Sequence, residues 1–215
     1  MEKQKYTAIV LAAGSGKRMN SKVHKQYLII QDRPVLYYSL KAFEDSAVDE
    51  IVLVVGKGEE KFCRKEIVDK YGISKVKAIV EGGKERYHSV FEGLKQTSDA
   101  DYVLIHDGAR PFVNQDIIRR CMQEVQKYQA CVVGMPVKDT IKIADEEGYA
   151  KQTPDRKNVW MIQTPQTFSY ALIYEAYEEM LKTEDTAITD DAMVLERIKG
   201  KKSKLIEGSY RNIKI

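Results

Sequence analysis

The residues best suited to binding chemistry lie near the start of the chain, in segment 8–25. The apolar run Ala8–Leu11 is typical of a buried strand, and the small residues of Ala12–Gly16 follow it directly. A turn of small residues lets backbone N–H groups approach an anion without a Cβ in the way. Cationic side chains pair with phosphate oxygens. Four of them follow the turn: Lys17, Arg18, Lys22 and Lys25. The segment therefore predicts a site for a polyphosphate.

This glycine turn fits neither of two familiar phosphate-binding patterns. The Walker A spacing cannot be aligned onto Gly14–Arg18. Met19 stands where a dinucleotide fingerprint has its third glycine, and no acid sits at the predicted end of the second strand. A plain turn with solvated lysines is the alternative. We favour phosphate binding because Arg18 and Lys25 flank the turn.

A second glycine pair stands at the end of another predicted strand, in Glu81–Ser89. Gly82 and Gly83 end the strand, and a helix that carries Arg86 and Ser89 follows. Ligands bind outside the carboxyl ends of the strands in an open α/β sheet, so both glycine turns can lie on one crevice floor. Taken alone, the segment favours a simple turn with Arg86 as a solvated helix residue.

An acidic residue closes the apolar strand that precedes Gly108. Asp107 would project at the same crevice edge, where a carboxylate can hold Mg²⁺ against a triphosphate. An ordinary turn acid is the alternative for this residue. We expect His106 to be a packed, hydrogen-bonded side chain, because no second histidine lies at metal-ligand spacing.

Apolar runs of strand length alternate with segments of helical periodicity, as in stacked βα units with a mostly parallel sheet. The predicted strands are Thr7–Leu11, Glu50–Val55, Val76–Val80, Tyr102–Ile105 and Ala130–Met135. Helices are predicted around 87–94, 117–125 and 171–181. A last helix is predicted to be capped by Thr189, with Asp190 and Asp191 in its first turn.

Segment 137–153 breaks this alternation. It predicts two short strands around the turn Glu146–Gly148, which is a hairpin rather than a βα unit. An isolated two-stranded hairpin is marginal in water. We therefore expect this arm to pack on something, and a second copy of the chain is the simplest candidate.

Composition excludes several classes of protein. The chain has 215 residues, 43% hydrophobic and 31% charged, which is typical of a soluble globular domain. Its net charge of +3 does not suggest a surface that coats nucleic acid. Cys63, Cys121 and Cys131 contain no CxxC pair, which argues against a disulfide framework or a zinc site. We recognise no signal peptide or membrane-length apolar run, so we expect a soluble cytoplasmic protein without nucleic-acid or membrane partners.

Motifs in a fixed order cover nearly the whole chain and resemble one family. They are LAAGSGKRM with Lys25–Gln26, EGGKERYHSV, HDGARPF, PVKDTIK, QTPDR, WMIQTPQTF, TDDA and NIKI. In these segments the chain is similar to the 2-C-methyl-D-erythritol 4-phosphate cytidylyltransferases of the non-mevalonate isoprenoid pathway. Ribitol-5-phosphate cytidylyltransferases share the opening loop, the HD…RP turn and QTPQ. Gly108–Ala109 and the segment around Trp160 favour the methylerythritol enzymes. A non-catalytic nucleotide-binding protein of the same fold is the remaining alternative.

The resemblance implies a Rossmann-like α/β nucleotidyltransferase fold with a mostly parallel central sheet, as one domain over 1–215. It implies CTP and Mg²⁺ as cosubstrates, a sugar-alcohol phosphate as acceptor, and a homodimer built through a β-arm at 137–158. Arg18 and Lys25 match the cations that stabilise the transition state at the α-phosphorus. Arg156 and Lys214 match residues that orient the attacking phosphate.

The resemblance also implies which residues bind each substrate. The CTP-binding set is Ala12, Ala13, Gly14, Gly16, Lys25, Gly82, Ser89 and Asp107. The sugar-phosphate set is Asp107, Arg110, Thr140, Arg156, Thr164, Thr189 and Lys214. Thr140 and Arg156 match residues supplied across the dimer interface, and Asp107 matches a position near the metal. The chain stops at Ile215, where family members usually continue with a threonine and an acidic tail, so we expect Lys214 to be weakly anchored.

Overall fold

The structure is a computed structural model that describes residues 3–14, 24–183 and 187–215. Its strands are β1 Tyr6–Ala12, β2 Ile29–Ile30, β3 Arg33–Pro34, β4 Glu50–Val55, β5 Val76–Glu81, β6 Tyr102–Asp107, β7 Ala130–Pro136, β8 Ile143–Ala144, β9 Ala150–Gln152, β10 Trp160–Ser169 and β11 Lys204–Glu207. Its α-helices are α1 Val35–Glu44, α2 Glu60–Cys63, α3 Arg86–Leu94, α4 Gln115–Tyr128, α5 Tyr170–Met180 and α6 Asp191–Lys199. A π-helical segment, Arg64–Asp69, continues α2, and 3-10 turns lie at Lys25–Tyr27 and Arg156–Asn158. The predicted site residues Gly16 and Arg18 lie outside the described residues.

Seven strands form the central sheet, in the order β11-β7-β10-β6-β1-β4-β5. β10 runs antiparallel to both of its neighbours, and the other four pairs of adjacent strands are parallel. The predicted mixed α/β fold with a mostly parallel sheet is thus confirmed. β10 and β11 were not predicted, because the middle of β10 is the polar run Gln163–Thr167, which has no strand-like apolar period.

Apolar side chains cover both faces of the sheet. Along β1, Ala8 and Val10 join the core formed with α1 and α4, while Ile9 joins the core formed with α3, α5 and α6. Strands that are covered on both faces are apolar at every position rather than at alternate ones. This burial fixes β1 rigidly, so the turn that follows it leaves from a well-defined point at the sheet edge.

The last helix begins one residue later than the sequence pattern predicts. Asp190 is its cap, because the Asp190 Oδ1 atom accepts the Met193 N–H at 2.9 Å. Thr189 lies outside the helix, with its hydroxyl 3.8 Å from the Met193 sulfur. The prediction of Thr189 as cap is therefore wrong, and Asp191 becomes the first residue of α6.

The segment predicted as a hairpin contains the short antiparallel pair β8 and β9. Gly148 adopts a φ of +88°, which favours glycine, and the Asp145 Oδ1 atom accepts the Tyr149 N–H at 2.8 Å. The two strands are shorter than segment 137–153 predicts. Their use as an arm that contacts a second copy stays a prediction.

Two further observations bear on the class of protein. Within the described ranges, no helix is both long and apolar enough to cross a membrane. Cys63, Cys121 and Cys131 are free thiols, and all three are buried in the core.

Candidate active site

The predicted turns lie side by side at the carboxyl edge of the parallel strands. Leu11 pairs with Asp107 across β1 and β6, and its carbonyl oxygen accepts the Gly108 N–H at 2.8 Å. On the other side of β1, the Val55 carbonyl oxygen at the end of β4 accepts the Gly82 N–H at 2.8 Å. Ala13 and Gly14, which directly follow β1, therefore leave the sheet between the Gly82 turn and the Asp107 turn.

Gly82 brings three of the predicted nucleotide-binding residues together. A Cβ atom at Gly82 would lie 2.5 Å from the Ala13 Cβ atom and 2.6 Å from the Ser89 hydroxyl oxygen. Only a residue without a side chain fits such a close approach. Ser89 in turn accepts the Gly83 N–H at 3.1 Å, so α3 is tied to the turn that precedes it.

Lys25 is held near the same edge by the residue that follows it. Gln26 is 2% exposed, and its side-chain amide donates to the Ala12 carbonyl oxygen at 2.6 Å. Two more contacts fix the turn, because Tyr27 donates to the Glu59 carboxylate at 2.7 Å and His24 lies 2.9 Å from it. We had not predicted a role for Gln26, which the sequence marks only by its place directly after Lys25.

Asp107 is the centre of a cluster of charges. Its Oδ2 atom lies 2.7 Å from Lys214 Nζ and 3.7 Å from Arg110 Nε, and its Oδ1 atom lies 3.4 Å from Arg86 Nε. Burial alone would raise the pKa of Asp107, but the neighbouring cations outweigh it, Arg86 most and then Lys214, and lower the pKa below its usual range. Asp107 is therefore an anion that organises three cations.

This geometry does not fit the predicted role of Asp107 as a magnesium ligand. Each carboxylate oxygen is already paired with a cation, as the distances to Lys214 and Arg86 show. In the part of the chain that the structure describes, no three acidic, histidine or cysteine side chains form a group that could hold a metal ion. A metal at Asp107 would have to displace a cation.

Lys214 is well anchored, contrary to our expectation. The Ile215 N–H donates to the Ala109 carbonyl oxygen at 2.9 Å, and Arg110 donates to the Asn212 carbonyl oxygen at 2.8 Å. Asn212 is fully buried, and its amide donates to the Thr164 carbonyl oxygen at 3.0 Å. The expectation was wrong because β10 and the Asp107 turn bind this segment through contacts that are distant in sequence.

Arg86 is not the solvated helix residue that its local sequence favours. Its guanidinium makes two parallel hydrogen bonds to the Asp191 carboxylate, at 2.7 and 2.9 Å. Burial on its own would lower the pKa of Arg86, but the attraction of Asp191 and then Asp107 raises it well above the usual value. Arg86 thus connects Asp107 to the start of α6, which the sequence did not reveal.

His106 is packed and hydrogen-bonded, as predicted. Its Nε2 atom lies 3.2 Å from the Arg110 carbonyl oxygen, which can only accept, so Nε2 carries the hydrogen. Its Nδ1 atom then accepts from the Thr164 hydroxyl at 3.0 Å. Complete burial lowers the pKa of His106 to about 4 and keeps the ring neutral.

Thr164 serves inside the protein rather than at its surface. It is 4% exposed, and its hydroxyl oxygen accepts the Asp107 N–H at 3.1 Å. The predicted contact of Thr164 with a sugar phosphate does not fit this burial. The Thr164–His106 pair is also unsuited to act as a nucleophile and base, because both side chains are buried.

The neutral His106 predicts a specific dependence of stability on pH. As pH falls below 6.5, the unfolded chain binds a proton at this residue before the folded protein does, down to the folded pKa of about 4. The free energy of unfolding should therefore fall by about 2 kcal/mol between pH 7 and pH 5. Urea unfolding at the two pH values measures this.

His106→Gln, which keeps one donor and one acceptor, should remove that dependence. His88→Gln is the matched control, because His88 is partly exposed on α3. Equal pH slopes for the wild type and the His106 variant would contradict the assignment.

The remaining predicted residues are not joined to the Asp107 cluster within one chain. Arg156 is exposed and donates to the Lys138 carbonyl oxygen at 3.3 Å. Thr140 is also exposed, in the segment before β8. Among the described residues, no hydrogen bond or ion pair links Arg156 to the Asp107 carboxylate. Their proposed place in a partner's site stays a prediction.

The arrangement is suited to binding anions that carry several charges. Three cations and two carboxylates, Asp107 and Asp191, meet in this cluster, so it retains one net positive charge for phosphate groups. Such an arrangement can position anionic substrates and stabilise their charge.

Comparisons with known proteins identify the family of this chain. The family model of 2-C-methyl-D-erythritol 4-phosphate cytidylyltransferase matches residues 6–215. A relative of that name from Lachnospira eligens is 54% identical over 211 residues, which cover 97% of this chain and 92% of the relative. A relative of the same name from Lachnoclostridium phytofermentans is 50% identical over 212 residues, covering 99% and 91%.

Solved structures show the same likeness. The structure of 4-diphosphocytidyl-2C-methyl-D-erythritol synthase from Anaerococcus prevotii is similar with a TM-score of 0.87 at 37% identity, over 99% of this chain and 90% of that one. The structure of 2-C-methyl-D-erythritol 4-phosphate cytidylyltransferase from Thermus thermophilus gives a TM-score of 0.77 at 29% identity, over 96% and 91%. On its sequence and on its fold, this chain belongs to the 2-C-methyl-D-erythritol 4-phosphate cytidylyltransferase family.

Proposed function

We propose that this protein transfers the cytidylyl group of CTP to 2-C-methyl-D-erythritol 4-phosphate, giving 4-diphosphocytidyl-2-C-methyl-D-erythritol and pyrophosphate. The observation that carries the proposal is the cation cluster around Asp107, which lies beside the glycine turn in a chain of this family. We take the identity of the acceptor from the names of the relatives. The cluster provides positive charge for binding two substrates that carry phosphate groups.

The reaction needs little from the protein beyond orientation and charge. A phosphate monoester is already anionic at neutral pH, so its oxygen can attack the α-phosphorus of CTP without a general base. Lys214 and Arg110 would orient the phosphate of the acceptor. Lys25 and Arg18 would stabilise the charge that develops at the α-phosphorus, while the bond to pyrophosphate breaks on the opposite side.

A divalent cation belongs to the proposal as a companion of CTP. Mg²⁺ is commonly bound by one or two carboxylates together with substrate phosphates and water. Because both oxygens of Asp107 are paired with cations, we assign Mg²⁺ no ligand in this chain. When bound to CTP, it would neutralise part of the triphosphate charge.

The enzyme assay that tests the proposal compares two acceptors. Purified protein is given CTP with either 2-C-methyl-D-erythritol 4-phosphate or ribitol 5-phosphate, and pyrophosphate release is measured. We expect release with the methylerythritol substrate and little with the other. Faster release with ribitol 5-phosphate would replace the proposed acceptor. Binding of CTP without release in either case would favour the non-catalytic alternative.

We also propose that two copies of the chain share their active sites. Tyr149 on the β8–β9 turn region is 70% exposed, and Ile143 on β8 is 45% exposed, which is consistent with apolar contact to another chain. Arg156 and Thr140 lie in the same region, away from the Asp107 cluster of their own chain.

Mixing two inactive variants tests this sharing. Arg156→Ala and Lys214→Met should each be nearly inactive, yet a mixture that has exchanged subunits should recover about a quarter of wild-type activity, as random pairing into symmetric dimers predicts. Recovery occurs because one site in each mixed dimer then has both native residues. No recovery, with sedimentation as a monomer at micromolar concentration, would contradict the shared site.

A further inference from the structure

Arg86 contacts the two buried carboxylates that lie on either side of it, although neither the sequence motifs nor the family resemblance assign it a role. We propose that Arg86 is a positioning residue for the acceptor phosphate: anchored on Asp191, it holds Asp107 so that Lys214 stays available to the substrate. The inference deepens the proposed function and rests on it.

The anchor of Arg86 is rigid. Asp191 is fully buried, and Tyr177 donates to its Oδ1 atom at 2.5 Å. Gln166 on β10 accepts the N–H groups of Asp191 and Ala192, both at 3.0 Å. The carboxylate that receives the guanidinium is therefore fixed by α5, β10 and the start of α6.

The other end of Arg86 reaches the charge cluster. Its Nε atom lies 3.4 Å from Asp107 Oδ1, while Lys214 Nζ lies 2.7 Å from Asp107 Oδ2. A guanidinium has donors in a fixed planar fork, so it can bind Asp191 with one edge and face Asp107 with its Nε–H. Arg86 and Lys214 thus divide the two oxygens of one carboxylate.

This division has a consequence for the substrate. Without Arg86, Asp107 has fewer competing cations and can turn both oxygens towards Lys214 and Arg110. The acceptor phosphate must then displace a stronger ion pair to bind Lys214. The Michaelis constant for the acceptor should rise, whereas the affinity for CTP, bound at the neighbouring glycine turn, should change little.

Removing Arg86 alone would leave Asp191 buried without its cation, which destabilises proteins strongly. We therefore choose two other variants. Arg86→Lys keeps the charge near Asp191 but cannot make the fork that also reaches Asp107. The double variant Arg86→Gln with Asp191→Asn removes both charges together and keeps a side-chain hydrogen bond between the two positions.

Tyr177→Phe is the matched control, because it removes one hydrogen bond to Asp191 but keeps Arg86 paired with both Asp191 and Asp107. Melting temperatures verify that each variant is folded. Initial rates then give the Michaelis constants for both substrates, and calorimetry gives the affinity for CTP.

We expect both Arg86 variants to raise the Michaelis constant for 2-C-methyl-D-erythritol 4-phosphate by about tenfold or more, the effect of losing one charge-assisted hydrogen bond. The constants for CTP should stay within about threefold of wild type. Tyr177→Phe should lower the melting temperature and leave both constants unchanged. In a protein that already carries Lys214→Met, the double variant should raise the acceptor constant little further. The reason is that Arg86 acts through Lys214, which this protein lacks.

Four outcomes would overturn the inference: unchanged acceptor constants, equal rises for both substrates, an equal rise in Tyr177→Phe, or full additivity with Lys214→Met. Failure of the proposed function is distinguishable from these. It would appear as a wild-type protein that releases no pyrophosphate from CTP and the methylerythritol substrate.

Discussion

Replacing Lys25 with alanine should lower the turnover number by about 10²- to 10³-fold while the affinity for CTP falls far less. Gln26 donates to the Ala12 carbonyl oxygen at 2.6 Å. This hydrogen bond holds the backbone of the neighbouring Lys25 close to the end of β1. A cation in this place acts on charge that develops at the α-phosphorus, and that charge is larger in the transition state than in bound CTP. Single-turnover rates and calorimetric CTP affinities measure the two effects separately.

Lys57→Ala provides the comparison for Lys25. Lys57 is an exposed lysine that follows β4 at the same edge of the sheet, so its loss removes the same charge at a position that Gln26 does not hold against Ala12. Its turnover number should stay within about twofold of wild type. Near-normal turnover in Lys25→Ala would remove this residue from the transition-state role.

Replacing Lys214 with methionine should lower kcat/KM for 2-C-methyl-D-erythritol 4-phosphate by about 10²-fold or more. The ammonium lies 2.7 Å from Asp107 and the Lys214 side chain is 42% exposed, so the lysine is both oriented and accessible to an incoming phosphate. Methionine keeps most of the length of the side chain and removes the charge. The rate at saturating CTP, measured over a range of acceptor concentrations, gives the result.

The fold should tolerate the loss of Lys214. Asp107 keeps Arg86 and Arg110 as partners, so the loss of Lys214 does not leave its buried carboxylate without a cation. Lys204→Met, on an exposed position of β11, is the control for removing a lysine. An unchanged kcat/KM in Lys214→Met, or an equal loss in Lys204→Met, would contradict the role of this residue.

The local pattern of the sequence is sufficient to predict the strands that are packed on both faces. Ala8–Ala12 and Ile51–Val55 are continuous apolar runs, as expected of strands that are buried on both faces. The glycine turns could be predicted for a similar reason. Gly82 has no room for a side chain between Ala13 and Ser89, so the residue type alone marks the close approach.

The polar strand β10 could not be predicted in this way. Gln166 and Thr167 are almost fully buried, although their side chains are polar. Gln166 is accommodated because it hydrogen-bonds the N–H groups at the start of α6 and the Asp190 carboxylate. These partners lie more than twenty residues from Gln166 along the chain. The local periodicity of the sequence therefore cannot predict them.

The sequence by itself determined that this protein has an α/β sheet with glycine turns and cations at its strand ends, because apolar runs, small residues and charges act locally. The tertiary structure decided how those charges are paired. Lys214, Arg110 and Arg86 meet at Asp107 only when β6 and the C-terminal segment pack together. Electrostatic attraction depends on distances in space, and the separation of Asp107 from Lys214 along the chain gives no measure of the 2.7 Å between them.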